Sequence, residues 1–188
     1  NVWLDPKKTS PYKFYQFWIK GILDEDAPLF MKIFTLKTKE EIEAAIAETQ
    51  TNPQKLKKVL AEDITLRVHG ADQLKRAQET TDILFGSSFE DFKKLSEEEI
   101  EEAFDESMTF RLNKSILSEA NDPITLLGDK TKIYSSKGEA RKAIQGNGVS
   151  INKTKIGLER KITSEDLLYG KYILAQKGKK DYYLIVME

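Results

Sequence analysis

Cysteine is absent from this 188-residue chain, and histidine occurs once, as His69. The first absence excludes disulfides, thiol nucleophiles and thiolate metal sites. The second leaves no histidine cluster for a metal ion. Both suit a reducing, cytosolic setting. No apolar run approaches the roughly 20 residues that a membrane helix needs, and no signal-peptide pattern follows Asn1. A start at Asn rather than Met gives the expectation of a segment cut from a longer protein. Walker loops, GxGxxG turns, zinc spacings and Ser-His-Asp sets are missing too. Neither a catalytic constellation nor a metal site is therefore expected, and no internal repeat or low-complexity stretch is present.

What the chain does have is charge. It is 39% hydrophobic and 32% charged, which suits one or two domains. The net charge of −1 hides a division: residues 130–188 hold 13 Lys+Arg against 6 Asp+Glu, and residues 1–129 hold 17 against 25. A basic block beside an acidic one predicts two modules, the second with an anionic partner, for which nucleic acid is the common physical reason.

The first 106 residues read as helices. Ser10-Pro11 opens one to about Lys20, with Tyr12, Phe14, Tyr15, Phe17 and Trp18 pointing nearly all round, as in a buried helix. A short helix follows near Ala27–Phe34. Thr38 and Glu41 form a capping box with Ile42, Ala45 and Ile46 inward, and Asn52-Pro53 starts a helix striped by Leu56, Leu60, Ile64 and Val68. His69, at its end, is expected to bond a carbonyl rather than to catalyse. A helix opened by Asp72 runs to Phe85-Gly86, and a turn of helix lies in Phe89–Leu95. Seven of the ten residues Glu97–Glu106 are acidic behind a Ser96/Glu99 capping box, a solvated helix rather than a calcium loop. Residues 107–114 read as an extended linker.

Beyond the linker, residues 115–188 read as a small basic α+β module. Its centre is Ser135–Asn152. Ser136 and Glu139 make a capping box, and Ala140, Ala143 and Ile144 share one face while Lys137, Arg141 and Lys142 occupy others. Gly146 is expected to stop this helix in a left-handed turn, and Val149–Asn152 to be a half-buried strand. Tyr172–Gln176 and Tyr182–Val186 predict a hairpin with Lys177, Lys179 and Lys180 at its tip. Such cations serve either as phosphate contacts or as an ordinary solvated face. The acidic run leaves a stand-alone protein-interaction adaptor as an alternative.

Val2-Trp3-Leu4-Asp5 followed by Lys8-Thr9-Ser10-Pro11-Tyr12-Lys13-Phe14-Tyr15-Gln16-Phe17-Trp18 closely resembles the bacterial-type tyrosyl-tRNA synthetases, where this passage follows the KMSKS-type loop. Phe30, Lys32, Phe34, Thr35, Leu60-Ala61-Glu62, Val68-His69-Gly70 and Leu84-Phe85 continue the likeness. Ser136-Lys137-Gly138-Glu139-Ala140-Arg141 looks like the start of the small RNA-binding fold shared with the fourth small-subunit ribosomal protein. The resemblance implies a mainly α chain: a helical anticodon-binding domain at 1–106, a linker at 107–114 and that α+β domain at 115–188. It implies a class I ligase that esterifies tyrosine tRNA using ATP in the cytoplasm, with the HIGH and KMSKS motifs upstream and no catalytic residue or cofactor in this segment. Dimerisation through the catalytic domain is implied as well, with this segment a monomer. The expected RNA contacts are Ser136, Lys137, Arg141, Lys142, Asn152, Lys153, Lys177, Lys179 and Lys180. One departure is Asn152-Lys153, where relatives often carry Asn-Gly.

Overall fold

The computed structural model describes residues 2–86, 88–179 and 181–188. Two compact units divide between Asp82 and Ile83. Among the described residues no helix is long and apolar enough to cross a membrane.

The first unit is helical: α1 (Pro11–Lys20), α2 (Ala27–Phe34), α3 (Lys39–Thr49), α4 (Pro53–His69) and most of α5 (Ala71–Phe85). Ser10 caps α1 by accepting from the Lys13 amide at 3.3 Å, and Tyr12, Phe14, Tyr15 and Trp18 are buried as expected. The α3 capping box forms in both directions between Thr38 and Glu41. Leu56, Leu60 and Ile64 of α4 are buried, and Lys57 joins them. Its ammonium, 2.7 Å from Asp24 and 3.2 Å from the Ile22 carbonyl, holds the α1–α2 loop. His69 departs from expectation. Its Nε2 has no hydrogen-bond partner among the described residues, and its ring stands edge-on to Phe14 at 4.8 Å. Burial lowers its pKa from the usual imidazole value.

The second unit contains α6 (Phe89–Phe92), α7 (Glu97–Ala103), β1 (Thr109–Leu112), α8 (Ile116–Glu119), α9 (Pro123–Thr125), a π turn at Leu126–Lys130, α10 (Lys137–Gln145), β2 (Val149–Ile151), β3 (Thr154–Lys155), β4 (Tyr172–Lys177) and β5 (Asp181–Met187). The sheet order is β1-β5-β4-β2-β3, with β1 parallel to β5 and the other pairs antiparallel. Ala140 and Ile144 of α10 join Leu126, Leu127, Ile151 and Ile173 in its core.

Two expectations about organisation need correction. The 107–114 stretch is no connector: Thr109 to Leu112 pairs in parallel with Leu184 to Met187, which makes it the edge strand of the sheet, bonded to β5 along one side. The compact units also do not divide there. Helix α7 belongs to the sheet-bearing unit because the Tyr172 hydroxyl bonds the carboxylates of Glu101 at 2.7 Å and Glu97 at 3.2 Å. Lys171 reaches Glu101 at 2.9 Å as well. A third correction concerns β2, where Val149, Ser150 and Ile151 are all buried instead of alternating. The strand lies inside the sheet between β4 and β3, so a serine is enclosed with the apolar pair.

Candidate nucleic-acid interface

Helix α10 sits where its first turn can touch the π turn closely. A Cβ on Gly128 would lie 2.8 Å from the Lys137 Cα, so only glycine fits under the helix start. The capping box is spread over two serines. Ser136 Oγ accepts from the Glu139 amide at 3.2 Å, whereas the Glu139 carboxylate accepts from the amide and hydroxyl of Ser135 at 2.9 and 2.5 Å. Those bonds from Ser135, with Lys177 behind them, lower the Glu139 carboxyl pKa. At the other end, Gly146 keeps a right-handed φ of −77°. The left-handed residue is Asn147, at φ 56°, a conformation asparagine tolerates.

With Ala140 and Ile144 inward, Lys137, Arg141 and Lys142 are exposed. Lys137 lies 3.8 Å from Asp129. Arg141 and Lys142 make no ion pair among the described residues. The β4–β5 turn lies against the same helix. Lys177 donates to the Ile133 carbonyl at 3.1 Å, sits over the Tyr134 ring at 4.5 Å and is 3.7 Å from Glu139. The Gly178 amide bonds the Gly148 carbonyl at 2.7 Å, tying this turn to the loop after α10. Lys179 is exposed at the turn, and Lys180 lies outside the described residues. Ser136, Lys137, Arg141 and Lys142 thus lie on α10 and its cap, Lys177 packs against Glu139 of that helix, and Lys179 stands in the same turn as Lys177.

Asn152 and Lys153, expected beside them, are bonded within the fold instead. Both are left-handed, at φ 50° and 62°, and close a two-residue turn between Ile151 and Thr154. Asn152 is buried; its Nδ2 donates to the Asp166 carbonyl at 2.7 Å and its Oδ1 accepts from the Leu174 amide at 3.0 Å. The Lys153 ammonium donates at 2.8 Å to each of the Ile83 and Leu84 carbonyls, in the last turn of α5. Burial lowers its pKa from the usual lysine value.

Sequence reasoning missed Lys161. The Ile162 amide bonds the Asn121 carbonyl at 2.9 Å, which sets Lys161 beside Asp122. Burial would raise the Asp122 carboxyl, but hydrogen bonds from Thr125 and the charges of Lys161 and Lys137 outweigh it and lower its pKa. No motif marks Lys161. Only the folding of the 157–162 loop onto 121–122 brings it, like Lys137, within electrostatic reach of Asp122.

Comparison with known proteins follows the same two-part layout. A family model described as tRNA synthetases class I (W and Y) matches residues 1–86, and one described as the tyrosine–tRNA ligase SYY-like C-terminal domain matches residues 99–185. A tyrosine–tRNA ligase of Bacteroides thetaiotaomicron is 44% identical over 99% of this chain and 44% of its own length. That of Cytophaga hutchinsonii is 47% identical over 98% of this chain and 44% of its own length. The chain spans less than half the length of these curated relatives. A C-terminally truncated mitochondrial tyrosyl-tRNA synthetase of Aspergillus nidulans overlaps 45% of this chain and 25% of that one at 27% identity, with a TM-score of 0.42, too little to bear on the fold.

Proposed function

Since the chain belongs to the bacterial-type tyrosyl-tRNA synthetase family, whose carboxyl-terminal part it matches, we propose that it is the tRNA-gripping rear part of a tyrosine–tRNA ligase. In that reading the ligase joins tyrosine to its tRNA at the expense of ATP, in the cytoplasm, and ATP and tyrosine are held by residues outside this chain. The helical unit faces the anticodon side of the tRNA, and the sheet-bearing unit, similar to the fourth small-subunit ribosomal protein, holds the long arm. Dimerisation falls to the catalytic part, leaving this segment monomeric.

The observation that carries the reading is that Arg141 and Lys142 on α10 make no ion pair among the described residues. Lys137 and Lys177, by contrast, are internally engaged, with Asp129 and with Glu139. Two cations fixed on one helix, one of them a guanidinium suited to bidentate bonds, have only a polyanion or solvent to face. Phosphate contacts place the helix on RNA without reading sequence, so base specificity lies with other groups. Ser136, Lys137, Lys177 and Lys179 supply further contacts, and Lys137 and Lys177 exchange their carboxylate partners for phosphate on binding.

Titration of labelled tyrosine tRNA at two salt concentrations tests this. The affinity falls with a log–log slope of about 0.7 to 0.9 per phosphate neutralised. Arg141→Glu weakens binding on the order of tenfold, as the loss of a charge-assisted bond does. A salt-independent affinity, or an Arg141→Glu variant that binds as tightly as the parent, overturns the footprint.

A further inference from the structure

Helix α2 is apolar on both sides. Ala27 and Met31 are sealed in the core, yet Leu29, Ile33 and Leu36, spaced i, i+4 and i+7, are 52%, 59% and 84% exposed. Lys32 is the only charged residue in the helix. A helix at a protein's surface ordinarily turns polar residues outward, and one that is apolar all round belongs in an interior. The stripe continues past the helix. Arg67 donates to the Phe34 carbonyl, which puts the α4 turn carrying exposed Leu66 at the end of α2, beside half-exposed Phe34.

The distribution of such residues is lopsided. Of ten large apolar side chains exposed among the described residues, eight lie in the unit ending at Asp82, and two, Phe85 and Tyr169, lie beyond it. The relatives are more than twice as long as this chain, which spans 44% of them. The C-terminal-domain match falls at residues 99–185, so the relatives' additional length corresponds to chain before residue 1. That is the end of the first unit where Trp3 and Leu4 are also exposed.

We propose that the outer face of α2, Leu29–Ile33–Leu36, is the seat of the catalytic part that precedes this segment in the full-length ligase. The proposal rests on the ligase reading above. A second copy of the chain fits less well, because so narrow a stripe falls short of the roughly 800 Å² per partner that a stable dimer buries. A tethered part has no such requirement: covalent linkage supplies an effective concentration near millimolar, at which a small apolar face suffices.

The test places a thiol on the face. In the full-length ligase, Ile33→Cys is compared with Glu43→Cys on the solvent side of α3, each labelled with a maleimide and mapped by peptide mass spectrometry. The thiol at position 33 reacts on the order of tenfold more slowly than that at position 43, at a rate independent of protein concentration, because labelling waits for the face to open. Equal rates overturn the proposal. Protection that grows with protein concentration overturns it too, by assigning the face to a second copy. Aminoacylation of tyrosine tRNA by the same preparations tests the ligase reading separately. A preparation active in that assay with both thiols equally reactive sinks the docking alone; one that protects position 33 but never charges tRNA sinks the ligase reading alone.

Discussion

A lysine in the left-handed region costs on the order of 1–2 kcal/mol, because its Cβ crowds the backbone. Lys153 accepts that cost at φ 62°. Its compensation is the pair of 2.8 Å bonds to the Ile83 and Leu84 carbonyls in the last turn of α5, where helix carbonyls run short of intrahelical donors. Hydrogen bonds to a charged group contribute about 1.5–3 kcal/mol when partly buried, so the bonds outweigh the strain. Two substitutions separate the effects. Lys153→Met keeps the strain and removes the bonds, and should destabilise the fold by about 2–4 kcal/mol in denaturant unfolding. Lys153→Gly removes both and should lose about 1 kcal/mol less. If the glycine variant is more stable than the parent, the carbonyl bonds contribute little and this account of Lys153 fails. This residue also marks a limit of sequence reading. The resemblance singles out Asn152-Lys153, where relatives often carry Asn-Gly, but the ammonium's partners lie 69 and 70 residues earlier. No local pattern distinguishes a buried helix-capping lysine from a phosphate-facing one.

At the scale of elements, the legible pieces are those whose pattern closes within a few residues. Helix α10 announced itself through Ser136, Glu139, Ala140 and Ile144, and the β4–β5 hairpin through its alternation about a lysine-rich turn. Strand β1 did not, because four residues give little periodicity and its partner is 75 residues away, Thr109 opposite Leu184. The seat of α10 was equally hidden. Gly128 falls in a π turn, and the contact that requires glycine there is with the backbone of Lys137, nine residues on. A methyl group at that point meets the Lys137 amide and Cα and the Ser136 carbonyl carbon, all at 2.8 Å, and backbone cannot swing aside as a side chain does. Gly128→Ala should therefore destabilise the unit by about 1–3 kcal/mol, the usual cost of overpacking, and displace the helix that carries Arg141. Gly157→Ala is the control, since a Cβ there meets nothing within 4 Å; it should stay within about 0.5 kcal/mol of the parent. Comparable losses in the two variants, read from urea midpoints, would refute the seat.

At the scale of the whole chain, the charge division takes on a different meaning once the units are known. The residues up to Asp82 carry 13 Lys+Arg and 13 Asp+Glu, a balance of zero. Residues 83–129 carry 4 against 12, and residues 130–188 carry 13 against 6. The acidic and basic blocks are thus not two domains. Both belong to the sheet-bearing unit, which is a charge dipole. Strand β4 spaces its ends: Tyr172 holds acidic α7 through Glu97 and Glu101, and Lys177 lies against Glu139 of cationic α10. At about 3.3 Å per residue, five steps separate those points by roughly 17 Å. The Debye length is about 10 Å at 0.1 M salt and about 30 Å at 0.01 M. In the proposed reading the acids are therefore screened from RNA on α10 in ordinary buffer and felt by it only in dilute buffer, where they repel polyanions arriving from the wrong side. Glu98→Gln with Glu106→Gln removes two exposed charges that no tertiary bond among the described residues uses. Fluorescence anisotropy with a non-cognate tRNA should then show binding about two- to fivefold tighter at 0.01 M salt and unchanged at 0.1 M. An equal gain at both concentrations would mean that the acids act by direct contact with RNA, and the dipole would no longer account for the arrangement.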